Sequence, residues 1–160
     1  NIIGIDGLIL SGGDNIGDYP QRDSIEKSIL EYGIKKKLPI IGVCRGMQMI
    51  NKYFGGSTII SSDQKHVNTS HSIDIINSSN HKILESESIV VNSFHNNVID
   101  SNILGKDLES FAISSDKYVE GFYHKLLPII GVMWHPERSQ DHINQIIFRK
   151  VFQDVSFWNQ

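Results

Sequence analysis

Apolar residues fall into short continuous runs near both ends of the chain and thin into alternation through its middle. Ile5 to Leu10 is one such run, stopped by Ser11-Gly12-Gly13-Asp14, the pattern of a buried strand feeding a glycine loop. From Asp23 to Lys36, Ile25, Ile29, Tyr32 and Lys36 recur at helical spacing, with Asp23 and Glu26 placed as a capping box. Leu38 to Val43 predicts a second buried strand, and Cys44 follows it at once. Met47, Ile50 and Phe54 then stripe a helix from Arg45 to Phe54, which Gly55-Gly56 ends. Ser57 to Ser70 is polar and reads as loop. Four short strands are expected next, over Ser72–Asn77, Ser88–Phe94, Leu108–Ser114 and Val119–His124, set apart by Asn, Ser, Gly and Asp. Leu127 to Trp134 is a further apolar run broken by Pro136, and Asp141 to Phe152 places Ile143, Ile146, Ile147 and Val151 on one helical face. Strands alternating with helices at both ends, around a strand-rich insert, predict an α/β domain with a mainly parallel sheet flanked by helices.

The junction of the second strand and helix carries chemistry. Gly42-Val43-Cys44-Arg45-Gly46 is a G-x-C-x-G, the cysteine form of the strand–turn–helix elbow that exposes a nucleophile at the carboxyl end of a sheet. Glycines on either side let strand and helix approach closely. The helix N-terminus is expected to favour the thiolate and depress its pKa. Gln48, four residues on, shares the helical face of Cys44 and can reach a bound substrate. The bland alternative, a small buried Cys in a glycine-containing turn, loses weight once a base is found. Trp134-His135-Pro136-Glu137 supplies one: on an extended segment i and i+2 project together, so Glu137 can orient the His135 ring toward Cys44. Backbone N–H groups of Arg45 and of the Ser11-Gly12-Gly13 loop are candidate donors for an oxyanion.

Composition narrows the field. The 160 residues are 39% hydrophobic and 21% charged, with a formal charge of −3, an ordinary globular mix without the cationic field that nucleic acid or an anionic membrane requires. No apolar run approaches the ~20 residues of a membrane span, and no secretory signal heads the chain. The single Cys excludes an internal disulfide and suits the reducing cytoplasm. His66 and His71, five apart in a polar stretch, read as solvated loop residues or as lining of the substrate mouth rather than metal ligands. His95 and His124 read as structural or rim residues. Arg45 and Arg138 flank the site, where one of them could meet a phosphate, although surface solvation is the plainer reading.

Together Leu8–Asp14, Ile41–Asn51 and Gly131–Arg138 resemble the class I glutamine amidotransferase family, in its order and spacing and across essentially the whole chain. The resemblance implies a flavodoxin-like fold over 1–160, a Cys44–His135–Glu137 triad, and an oxyanion hole made by the Gly13 and Arg45 amides. It also implies that Gln48 and the main chain at Ser93 and Phe94 hold a glutamyl group, and that neither metal nor cofactor is needed. Family members open with a further strand, helix and strand, so these elements are expected to be missing here. Cys-Arg-Gly-Met-Gln and His-Pro-Glu-Arg are most similar to the γ-glutamyl hydrolase branch, the peptidase C26 group. Within it they resemble the members that release glutamate from a γ-glutamyl phosphoramidate of cytidine diphosphate in capsule synthesis. The partner implied is a small γ-glutamyl substrate. One alternative keeps the same residues in a glutaminase subunit that passes ammonia to a partner synthase. A non-catalytic relative fits poorly because all three reacting residues are present, and the chaperone and deglycase type of cysteine elbow lacks the W-H-P-E segment.

Overall fold

The computed structural model describes residues 4–61, 67–76, 86–139 and 141–155. The first run becomes β1 (Leu8–Leu10), followed by α1 (Pro20–Lys36), β2 (Ile40–Val43) and α2 (Arg45–Tyr53). The insert contributes β3 (Ile59–Ile60), β4 (Thr69–Ile75), β5 (Ser88–Ser93), β6 (Asn97–Val98), β7 (Leu108–Ser114) and β8 (Val119–His124). The chain returns through β9 (Ile129–Val132) to α3 (His142–Arg149), which runs on into one π turn over Lys150–Asp154. Helix α1 starts before the expected Asp23 because Pro20, with its φ already fixed, occupies the first turn. Tyr19 at the N-cap makes no side-chain cap bond, so the anticipated capping box is not formed.

Among the described residues seven strands join one sheet in the order β1-β2-β9-β8-β7-β4-β5, while β3 and β6 form a small antiparallel ribbon apart from it. Pairing is parallel from β1 to β2 and from β2 to β9, and antiparallel from β9 outward. The α/β class and the strand-rich insert thus appear together in a mixed sheet, whose parallel part is the half that carries the glycine loop and the Cys44 turn. Both faces of that half are covered, which explains why β2 and β9 are apolar at every position. Ile41, Val43, Ile130 and Val132 pack against Ile147 and Val151 at the α3 end. On the other face Ile40, Ile129 and Phe122 meet Leu30 of α1 and Met47 and Ile50 of α2. Among the described residues no helix is long and apolar enough to cross a membrane.

Candidate active site

Cys44 sits at the N-cap of α2 with φ +50° and ψ −106°, a conformation that L residues rarely adopt. The turn is held by close packing. A Cβ on Gly46 would lie 2.0 Å from the Leu10 carbonyl oxygen, and one on Gly42 would lie 2.7 Å from the Gly46 backbone. Only glycines let β1, β2 and α2 meet so tightly. The Arg45 side chain, 2% exposed, turns away from the sheet to bond Glu26 and Asp23 of α1. The carboxylates read as a capping box therefore neutralise a buried guanidinium, and Arg45 is unavailable to a substrate phosphate. Its backbone N–H instead faces the sulfur.

The expectation of an acidic thiol is corrected. Cys44 is only 5% exposed, and burial pushes its pKa up to about 11. The Arg45 N–H and the Arg138 cation pull the value down, but loss of water outweighs them, and the Glu137 and Glu120 charges add to the rise.

Val132 pairs with Val43, and the Cys44 N–H donates to the Val132 carbonyl, so the segment after β9 leaves the sheet beside the Cys44 turn. His135 Nδ1 lies 2.7 Å from Glu137 Oε1. A carboxylate only accepts, so this nitrogen carries the proton and Nε2 is the basic one. The glycine loop closes on the same ring: a Cβ on Gly12 would lie 2.7 Å from His135 Cε1. Gly13 has φ +153°, and Arg22 of α1 ties the loop down by donating to the Gly12 carbonyl at 2.9 Å.

Asn92 was not singled out by sequence reasoning. Its amide accepts from the His135 N–H at 2.8 Å and donates to the His135 carbonyl at 2.9 Å, clamping that residue's backbone from β5. Asn92 opens the Asn92–Asn96 segment that resembles the family, but an Asn after Ile89-Val90-Val91 gives no local sign that it clamps the backbone of a distant residue. Ser93 is buried. Phe94 stands edge-on to the His135 ring at 5.7 Å, and the Arg138 guanidinium lies 4.3 Å from the centre of the Phe94 ring. Gln48 is buried, its amide 3.8 Å from the Met133 sulfur. A cleft of about 550 Å³ between α1 and α2, lined by Ile16, Asp23, Met49 and Tyr53 among others, contains neither Cys44 nor His135. Chemistry, not cavity size, locates the site.

The peptidase C26 family profile matches residues 2–137. The chain belongs to that family. As a peptidase C26 protein it is a hydrolase acting on a C–N amide bond. The gamma-glutamyl-CDP-amidate hydrolase of Campylobacter jejuni is 35% identical over 155 residues, covering 92% of this chain and 70% of that protein. The glutamine-hydrolyzing GMP synthase subunit of Thermoplasma acidophilum is 33% identical over 151 residues, covering 91% and 70%. A crystal structure of a GMP synthase subunit from the same organism superposes with TM-score 0.78 at 29% identity, over 96% of this chain and 74% of that one. A glutamine amidotransferase from Thermotoga maritima shares the fold, with TM-score 0.68 at 20% identity over 92% of this chain and 61% of its own. The C26 chain thus spans between 61% and 74% of the length of these proteins.

The insert of this C26 protein holds histidines differently from the sequence reading. His71 lies on β4 rather than in a loop, and its Nε2 stands 3.8 Å from Glu120 of β8. His95 is buried and its Nε2 stands at the same distance from that carboxylate. Antiparallel pairing of the insert draws them in, which spacing alone could not show. Burial pushes the Glu120 carboxyl up to about 8. His66 lies outside the described residues. His124 is buried and accepts the Leu126 and Leu127 N–H groups, a structural role.

Proposed function

We propose that Cys44, His135 and Glu137 hydrolyse a γ-glutamyl amide and release glutamate through a γ-glutamyl thioester. The supporting observation is the 2.7 Å bond that fixes the His135 tautomer at the sheet end where Cys44 occupies its constrained turn. Cys44 rests as a neutral thiol, so the proton passes to His135 Nε2 as sulfur attacks the γ-carbonyl carbon. The Gly13 and Arg45 amides receive the oxyanion, and Gln48 with the Ser93–Phe94 main chain holds the glutamyl group. The C–N bond then breaks as His135 returns the proton to the departing nitrogen. Water, deprotonated by His135, opens the thioester and restores the thiol.

The Campylobacter relative supports a γ-glutamyl-CDP-amidate as substrate; its hydrolysis leaves cytidine diphosphoramidate, which we propose serves capsule synthesis in the cytoplasm. Arg138, half exposed beside Phe94 and Glu137, is then the cation at hand for the phosphates. The GMP synthase relatives favour a second reading, a glutaminase subunit that delivers ammonia to a partner synthase. Glutamate release from glutamine, γ-glutamyl amines and γ-glutamyl nucleotide amidates, each measured without and then with an added synthase, separates the two. Fast release from the amidate supports the hydrolase; turnover of glutamine alone, and only with a synthase added, replaces it with the glutaminase reading. Cys44→Ala must abolish every one of these activities while the circular dichroism spectrum is unchanged. Substantial turnover by that variant would end the scheme.

A further inference from the structure

The insert contributes three metal-type ligands to one point. His71 comes from β4, His95 from the turn between β5 and β6, and Glu120 from β8. Strand β7 ends at Ser114, opposite Ile73, so His71 lies past its last residue. One ligand atom from each residue falls within 4.8 Å of the other two, and each imidazole Nε2 stands 3.8 Å from Glu120 Oε1. These separations exceed a hydrogen bond. A point equidistant from atoms so spaced lies about 2.2–2.5 Å from each, a few tenths of an ångström beyond zinc–nitrogen and zinc–oxygen bonds.

The orientation of His95 agrees. Its Nδ1 lies 3.0 Å from the Asn97 carbonyl oxygen, which only accepts, so Nδ1 carries the hydrogen and Nε2 presents an electron pair toward Glu120. Histidines that ligate metals are held in this way, with one nitrogen donating to a carbonyl and the other bound to the ion. His95 and Glu120 are almost fully buried, while the His71 side chain keeps 18% of its exposure and offers the ion a way in.

We propose that His71 Nε2, His95 Nε2 and a Glu120 carboxylate oxygen form a site for a divalent cation of the zinc type. Two imidazoles and one carboxylate select Zn²⁺ or Co²⁺ over Mg²⁺ and Ca²⁺, which prefer all-oxygen shells. Three protein ligands leave a fourth position open to water or to a ligand. Glu120 is also one of the charges felt by the Cys44 thiol.

Titration of the chelator-treated chain with Co²⁺ alone tests this. The expected result is one equivalent bound per chain, with the visible bands of a four- or five-coordinate ion that Zn²⁺ displaces and excess Mg²⁺ does not. Cys44→Ala should retain the bands, which removes the thiol as a ligand. His95→Gln and Glu120→Gln should weaken binding at least tenfold. No uptake by the unmodified chain overturns the proposal, as do bands lost in Cys44→Ala or kept at full strength in folded His95→Gln and Glu120→Gln. If those two variants unfold, the titrations of the unmodified chain and Cys44→Ala decide.

Discussion

At Cys44 the opposing influences are a helix N-terminus that favours the anion and a dry surrounding that disfavours it, and the dry surrounding wins. Because the thiol pKa is raised, the thiolate fraction, and with it alkylation of the resting protein by iodoacetamide, should climb about tenfold per pH unit toward about 11. A plateau near neutral pH would mean that a thiolate–imidazolium pair exists before substrate arrives. Glu137 acts on the other side of the ring. Its carboxylate is half exposed, so Glu137→Gln keeps the shape and loses orientation of His135. We expect kcat to fall roughly 10–10²-fold with KM little changed, short of the ~10²–10⁴ contributed by a general base itself. A loss as large as that of Cys44→Ala would give Glu137 a direct part in proton transfer.

At the scale of elements, two side chains hold the site together from outside it. Asn92 on β5 grips the His135 backbone with two hydrogen bonds. Asn92→Ala leaves both groups to find other partners, costing about 1–3 kcal/mol of stability, with kcat lowered more than KM is raised. Urea unfolding and steady-state kinetics on one preparation check both. Glu26 fastens α1 to the Cys44 turn through the buried Arg45 guanidinium. Glu26→Ala strands that charge with Asp23 alone and should cost about 3 kcal/mol, a fall of roughly 10 °C in thermal midpoint. Removing the exposed Lys27–Glu31 pair by Lys27→Ala should change stability by no more than ~0.5 kcal/mol. Equal losses in the two variants would show the Arg45 network to be as weak as a surface pair.

Across the whole molecule, what could be read from the chain was what short-range geometry dictates. The elbow at Gly42–Gly46 and the Trp134–Glu137 segment declare themselves because glycine, proline and i, i+2 spacing act within a few residues. The insert strands were visible as segments, but their antiparallel partners and the meeting of His71, His95 and Glu120 depend on pairings between distant residues. Asp23 and Glu26 matched a local cap pattern, while Arg45, whose guanidinium they hold, lies 19 residues beyond Glu26. The raised pKa of Cys44 also depends on what surrounds it, and it bears on survival as well as rate. Peroxides attack sulfur only as the anion. A chain with one cysteine has no second thiol to rescue a sulfenic acid by forming an internal disulfide. Under the proposed mechanism, a sulfur kept protonated until an acyl group arrives is shielded between turnovers, so hydrogen peroxide should inactivate the resting protein more slowly than it oxidises free cysteine at the same pH.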